Sequence, residues 1–152
     1  MQQLMVGEHQ LGTATLVSRT SLTAPTTDTL KAALYLASAT MNAASTVYTV
    51  TGEVSGTGYV AGGVTVTNAT APNSTNASAT AGVAFFTPSA SITYTTVTLA
   101  TAFDAVLLYN STQSDKAISV HTFGSQTITA GTFTLTMPSN TTTTALIRLA
   151  TT

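Results

Sequence analysis

The residues able to do chemistry are few, and their spacing limits what they can do. His121 follows Ser119 by two positions inside the segment AISVHTF of residues 117–123. In a strand those two side chains alternate onto one face, where an imidazole can act as base toward a hydroxyl. Ser125 is a second candidate nucleophile, and Asp104 or Asp115 would have to orient the ring. The surrounding sequence supplies no nucleophile elbow and no oxyanion-hole motif, so His121 is expected to be a structural or interface histidine. The acidic residues Glu8, Asp28, Glu53, Asp104 and Asp115 are dispersed, a spacing that supports neither paired glycosidase carboxylates nor an oxygen-rich calcium cage. Cysteine is absent and the only histidines are His9 and His121, which removes disulfides, thiolate chemistry and nearly all zinc ligands.

The run Gly52-Glu-Val-Ser-Gly56-Thr-Gly58-Tyr-Val-Ala-Gly62-Gly63 invites a phosphate-loop reading. It has no Gly-Lys-Ser/Thr ending and no GxGxxG spacing, and it leads into Val64-Thr-Val-Thr instead of a helix N-terminus that could hold an anion. A long turn, with glycines supplying positive φ, is the expectation. No catalytic residue, cofactor or metal follows from these patterns.

Composition points the same way. Of 152 residues only 6% are charged, against about 25% in an ordinary soluble domain. The net charge is −1, and Arg19, Lys31, Lys116 and Arg148 are scattered, so no cationic footprint for nucleic acid or anionic lipid exists. The N-terminal MQQLMVGEHQLG lacks a basic n-region and a continuous apolar stretch, and no run reaches the ~18 apolar residues of a membrane span. The expectation is synthesis in the cytoplasm, with neither nucleic acid nor membrane as partner. Sheet proteins protect their edges with lysines and inward charges, and this chain has almost none. Its edges or apolar faces are therefore expected to be covered by partners in a larger assembly.

Threonine makes up about a quarter of the chain, and β-branched threonine favours strands while offering hydroxyls to water. Val64–Thr67 and Ser91–Tyr94 alternate apolar with polar, and the change of phase at Thr95-Thr96 predicts a bulge or strand break. Thr127–Thr129 and Thr132–Met137, separated by Ala130-Gly131, read as a hairpin. Leu30–Ala37 and Phe103–Tyr109 read as buried strands. The polar segment 110–116 then turns into a strand at 117–123, and Ala145–Ala150 supplies a last strand. About eight to ten strands at this spacing predict an all-β fold, an antiparallel β-sandwich of jelly-roll type over residues 29–152. Residues 68–81, nearly all small and polar, are expected to form an exposed loop. Residues 1–28 carry Leu4, Met5, Leu11, Leu16 and Val17 at irregular spacing before Ala24-Pro25, and read as an extended N-terminal arm that frays or docks on a neighbour.

Leu34-Tyr-Leu-Ala-Ser-Ala-Thr-Met-Asn-Ala-Ala-Ser-Thr-Val-Tyr48, continued by residues 52–66, resembles a group of small tailed-bacteriophage virion proteins. Ala105–Thr112, Lys116–Val120, Phe123-Gly124, Ala130–Leu135 and Ala145–Ala150 look like later strands of the same group. The resemblance covers residues 30 to 150, with Gly-Thr-Gly-Tyr-x-Ala-Gly-Gly its most distinctive segment; the first 28 residues depart from it. It implies a non-enzymatic capsid decoration or cement protein on the outer surface of the virion, often a homotrimer, that bridges major capsid protein subunits. The arm residues Leu4, Met5, Leu11, Leu16 and Val17 are then the candidate partner-binding positions. A tail-fibre or tail-tip module that binds a receptor or glycan, with Tyr59 or Tyr94 as stacking platforms, is the alternative.

Overall fold

A computed structural model of the chain describes residues 28–67, 73–74 and 83–150, and every regular element among them is a β-strand. The strands are β1 (Leu30–Leu36), β2 (Val64–Thr65), β3 (Asn73–Ser74), β4 (Val83–Phe86), β5 (Ile92–Asn110), β6 (Lys116–Leu135) and β7 (Ile147–Ala150). All pairings are antiparallel. The chain divides into two compact units. One contains residues 29–66 and 91–136, with the sheet order β2-β1-β5-β6; the other includes residues 83–90 and 137–150, with the order β3-β4-β7.

In the larger unit the two apolar runs become its central strands. Leu30, Ala32, Ala33, Leu34 and Tyr35 of β1 are buried, and so is every residue from Ala105 to Asn110 of β5, which leaves both faces of each strand covered. That explains their unbroken apolar character, because a strand with one wet face would alternate. The first half of β5 does alternate: Ile92, Tyr94, Val97 and Leu99 are buried while Thr93, Thr95 and Thr96 are exposed. The phase change at Thr95-Thr96 is a bulge, with Thr96 at φ 54° and the register shifting between Tyr94 and Val97.

The β5–β6 ribbon bends back on itself. Phe123 and Phe133 are ten positions apart, about 33 Å in a straight strand, yet their ring centroids are 5.4 Å apart. Phe103 meets Phe133 edge-on at 5.1 Å, and the Tyr94 hydroxyl donates to the Ala32 carbonyl at 2.8 Å. Bulges make the bend possible, since each inserted residue turns the strand and adds twist. The register shifts four times between Tyr94 and Ala105.

This bend corrects the hairpin expected at residues 127–137. Ala130 does take a left-handed conformation, φ 46°, but inside β6, where β5 runs opposite both flanks. Gly131 pairs with Val97 and Ile128 with Leu99, so the residues between them bulge instead of turning the chain. Two smaller expectations also change. Val64–Thr67 contributes only Val64–Thr65 to a strand, and β3 lies within the expected loop 68–81. The hairpin around 110–116 is present, with Ser114 and Asp115 at φ 55° and 57° in its turn.

Candidate functional site

The glycine-rich run is the long turn that its composition implies. Gly52, Gly58, Gly62 and Gly63 have φ between 71° and 88°. Gly63 is the most constrained: a Cβ there would overlap the Ala32 carbonyl, so only glycine lets β2 close on β1.

Within this turn lies a group that sequence reasoning missed. The Glu53 side chain is buried, and its carboxylate accepts three hydrogen bonds: from the Tyr48 hydroxyl at 2.7 Å, the Tyr59 hydroxyl at 2.7 Å and the Gly62 amide at 2.8 Å. The Tyr59 oxygen in turn accepts the Leu34 amide at 3.0 Å. Tyr109 donates to the Gly62 carbonyl and Tyr35 to the Thr49 carbonyl. Tyr48 stacks on Tyr109 at 4.7 Å and Tyr59 on Tyr94 at 5.9 Å. All five tyrosines thus surround one carboxylate. Burial, reinforced by donation to Glu53, holds the Tyr48 and Tyr59 phenols protonated well above the ordinary range. Burial followed by the Glu53 charge does the same at Tyr94, and burial with the charge of Asp115 pushes Tyr109 up to about 12.

Both Glu53 oxygens accept donors from the protein, so the carboxylate fastens the turn. It holds the 37–63 loop along the open side of β1. Beyond the two residues of β2, that side is continued by Leu34 accepting the Val54 amide and by the Leu36 amide donating to Gly52. The spacing Tyr48, Glu53, Tyr59 follows no motif, and the other tyrosines reach the site from β1 and β5. The scarcity of acidic residues was the only available signal.

The structure brings Ser119 and His121 together on β6, with Ser119 Oγ 2.9 Å from His121 Nε2. Burial alone lowers the His121 pKa, whereas an orienting carboxylate would raise it. Asp115 stands in the 110–116 turn, Asp104 is half-buried on β5 and Ser125 is exposed on β6. No cluster of three or more His, Asp or Glu side chains occurs among the described residues. Tyr59 and Tyr94 are not exposed stacking platforms. Tyr94 is 2% exposed, and Tyr59 is half-buried, its hydroxyl committed to Glu53 and Leu34 and its ring stacked on Tyr94. Leu4, Met5, Leu11, Leu16 and Val17 lie outside the described residues.

Two surfaces of the larger unit stand out among the described residues. One is the fastened loop, which exposes Val47, Val50 and Val60 at 48, 67 and 72%. Val47 also lines a groove of about 420 Å³ with Met41, Ala39 and the hydroxyls of Ser38, Ser45 and Thr51. The other surface is the outer edge of β6, the terminal strand of its sheet. Comparison of the chain with protein-family models, with curated proteins and with solved structures found no match.

Proposed function

We propose that this chain is a structural protein of a tailed-bacteriophage virion, a capsid decoration or cement protein that sits on the outer shell and bridges major capsid protein subunits. In this reading the β body is a jelly-roll-like sandwich, and residues 1–28 form an arm that docks through Leu4, Met5, Leu11, Leu16 and Val17. The observation that carries the proposal is the 37–63 loop, whose one charged residue, Glu53, is buried and pins it. It presents Val47, Val50 and Val60 on a chain with almost no charge to keep free copies apart.

The mechanism is mechanical. Packaged DNA strains the contacts between capsid subunits, and a protein that binds only the expanded lattice stabilises that lattice by mass action. Several weak contacts engaged at once gain from effective concentration, so no single one has to be strong. The test is binding to expanded and unexpanded DNA-free shells of the encoding phage, using the full chain, a chain lacking residues 1–24, and Val50→Asp. The full chain should bind expanded shells only; the truncated chain should stay folded and lose binding, and Val50→Asp should weaken it. Wild-type affinity in the truncated chain would remove the arm from the account.

A further inference from the structure

The five phenols around Glu53 differ in what accepts their proton. Tyr35 donates to the Thr49 carbonyl, Tyr94 to the Ala32 carbonyl and Tyr109 to the Gly62 carbonyl. A backbone carbonyl accepts a hydrogen bond but is too weak a base to take the proton itself. Tyr48 and Tyr59 donate instead to a carboxylate, each at 2.7 Å, which is a base within direct proton-transfer distance.

The two carboxylate oxygens are not equivalent. Oε1 accepts both the Tyr59 hydroxyl and the Gly62 amide, whereas the hydroxyl of Tyr48 donates to Oε2. A proton arriving at Oε2 from Tyr48 therefore leaves the bonds from Tyr59 and Gly62 in place, and the new O–H can donate back to the Tyr48 oxygen. A proton arriving at Oε1 from Tyr59 would compete with the Gly62 amide.

A neutral phenol is a weak acid, with a pKa of about 10, but a phenol that has lost an electron is a strong one. At Tyr48, burial and donation to Glu53 keep the resting phenol protonated, so loss of the electron and loss of the proton are coupled. The Tyr109 ring, stacked at 4.7 Å with its plane 14° from that of Tyr48, offers its electron-rich face to the positive charge that develops. The chain has no tryptophan and no cysteine, which makes tyrosine the side chain that yields an electron most easily, and all five tyrosines lie in this cluster.

We propose that Tyr48 and Glu53 form a one-electron oxidation site. A free-radical oxidant takes one electron from the Tyr48 ring, the phenolic O–H bond breaks, and its proton forms an O–H bond with Glu53 Oε2. The products are the oxidant reduced by one electron, a neutral tyrosyl radical and a neutral carboxyl group. A one-electron reductant such as ascorbate reverses the step, and the proton returns to the Tyr48 oxygen. The cluster that fastens the loop thus also collects oxidising equivalents reaching the chain, a role that goes beyond the capsid reading and does not depend on it.

The test is pulse radiolysis of the full chain in azide solution, where the azide radical takes one electron and becomes azide, with the tyrosyl radical followed by its visible absorption. Glu53→Gln keeps an acceptor for Tyr59 and Gly62 but is no base. Tyr48→Phe keeps the ring on Tyr109 but has no proton to give, and it decides the matter if Glu53→Gln does not fold. The expected result is a tyrosyl radical that forms more slowly in deuterated water than in ordinary water. In each variant, with circular dichroism unchanged, it should form about tenfold more slowly than in the wild type, the loss of an assisting base. Wild-type kinetics in a folded Glu53→Gln chain would overturn the proposal, as would wild-type kinetics in Tyr48→Phe or a rate indifferent to deuterated water.

Discussion

Glu53 is one of five acidic residues in the chain, and it is buried. A buried carboxylate is tolerated only where hydrogen bonds replace its water, and here Tyr48, Tyr59 and Gly62 supply three. Glu53→Ala would strand all three donors and should lower stability by about 3 kcal/mol, read by urea unfolding. Glu53→Gln keeps an acceptor for Tyr59 and Gly62 and should cost about 1 kcal/mol; equal losses would mean that the hydrogen bonds are not what holds the loop. The tyrosines make a second prediction. Their folded pKa values are raised, so the folded state holds the phenolic protons more tightly than the unfolded state. That contribution is complete below the unfolded value of about 10. It is lost as pH rises toward the folded values, of which Tyr109 reaches about 12. Tyrosinate absorbance, clean because the chain has no tryptophan, should therefore appear together with unfolding and not before it. Normal titration of all five tyrosines in a still-folded protein would refute the cluster. Beyond the scarcity of acidic residues, none of this was legible in the sequence, because the partners converge from β1, β5 and the loop, and convergence of that kind leaves no spacing to read.

The elements were more legible than the residues, for a definite reason. Burial writes itself locally: the two unbroken apolar runs became central strands, and the threonine alternation at Ile92–Leu99 became a strand with a solvent-facing side. Where the outcome depends on a distant partner, local reading failed. Ala130-Gly131 has the chemistry of a tight turn, but β5 continues opposite it, and the left-handed residue became a bulge in β6. Substitutions can separate the two kinds of left-handed position. Gly63→Ala must displace the Ala32 backbone and should cost more than about 2 kcal/mol or prevent folding. Ala130→Gly relieves an unfavourable left-handed alanine and should be neutral or stabilising by up to about 1 kcal/mol. Thermal unfolding distinguishes them, and similar effects at both sites would contradict the geometry given to the β1–β2 closure.

For the whole molecule, the all-β class was legible from threonine content and alternation, and the structure is all-β and antiparallel throughout the described residues. The chain carries few charges, and its described residues expose valines on a fastened loop. The most direct measurement is co-sedimentation of the purified chain with expanded, DNA-free capsids, quantified per capsid subunit. The account predicts saturable binding at a fixed ratio to the lattice. Absence of binding, at concentrations where the protein is folded, would contradict it.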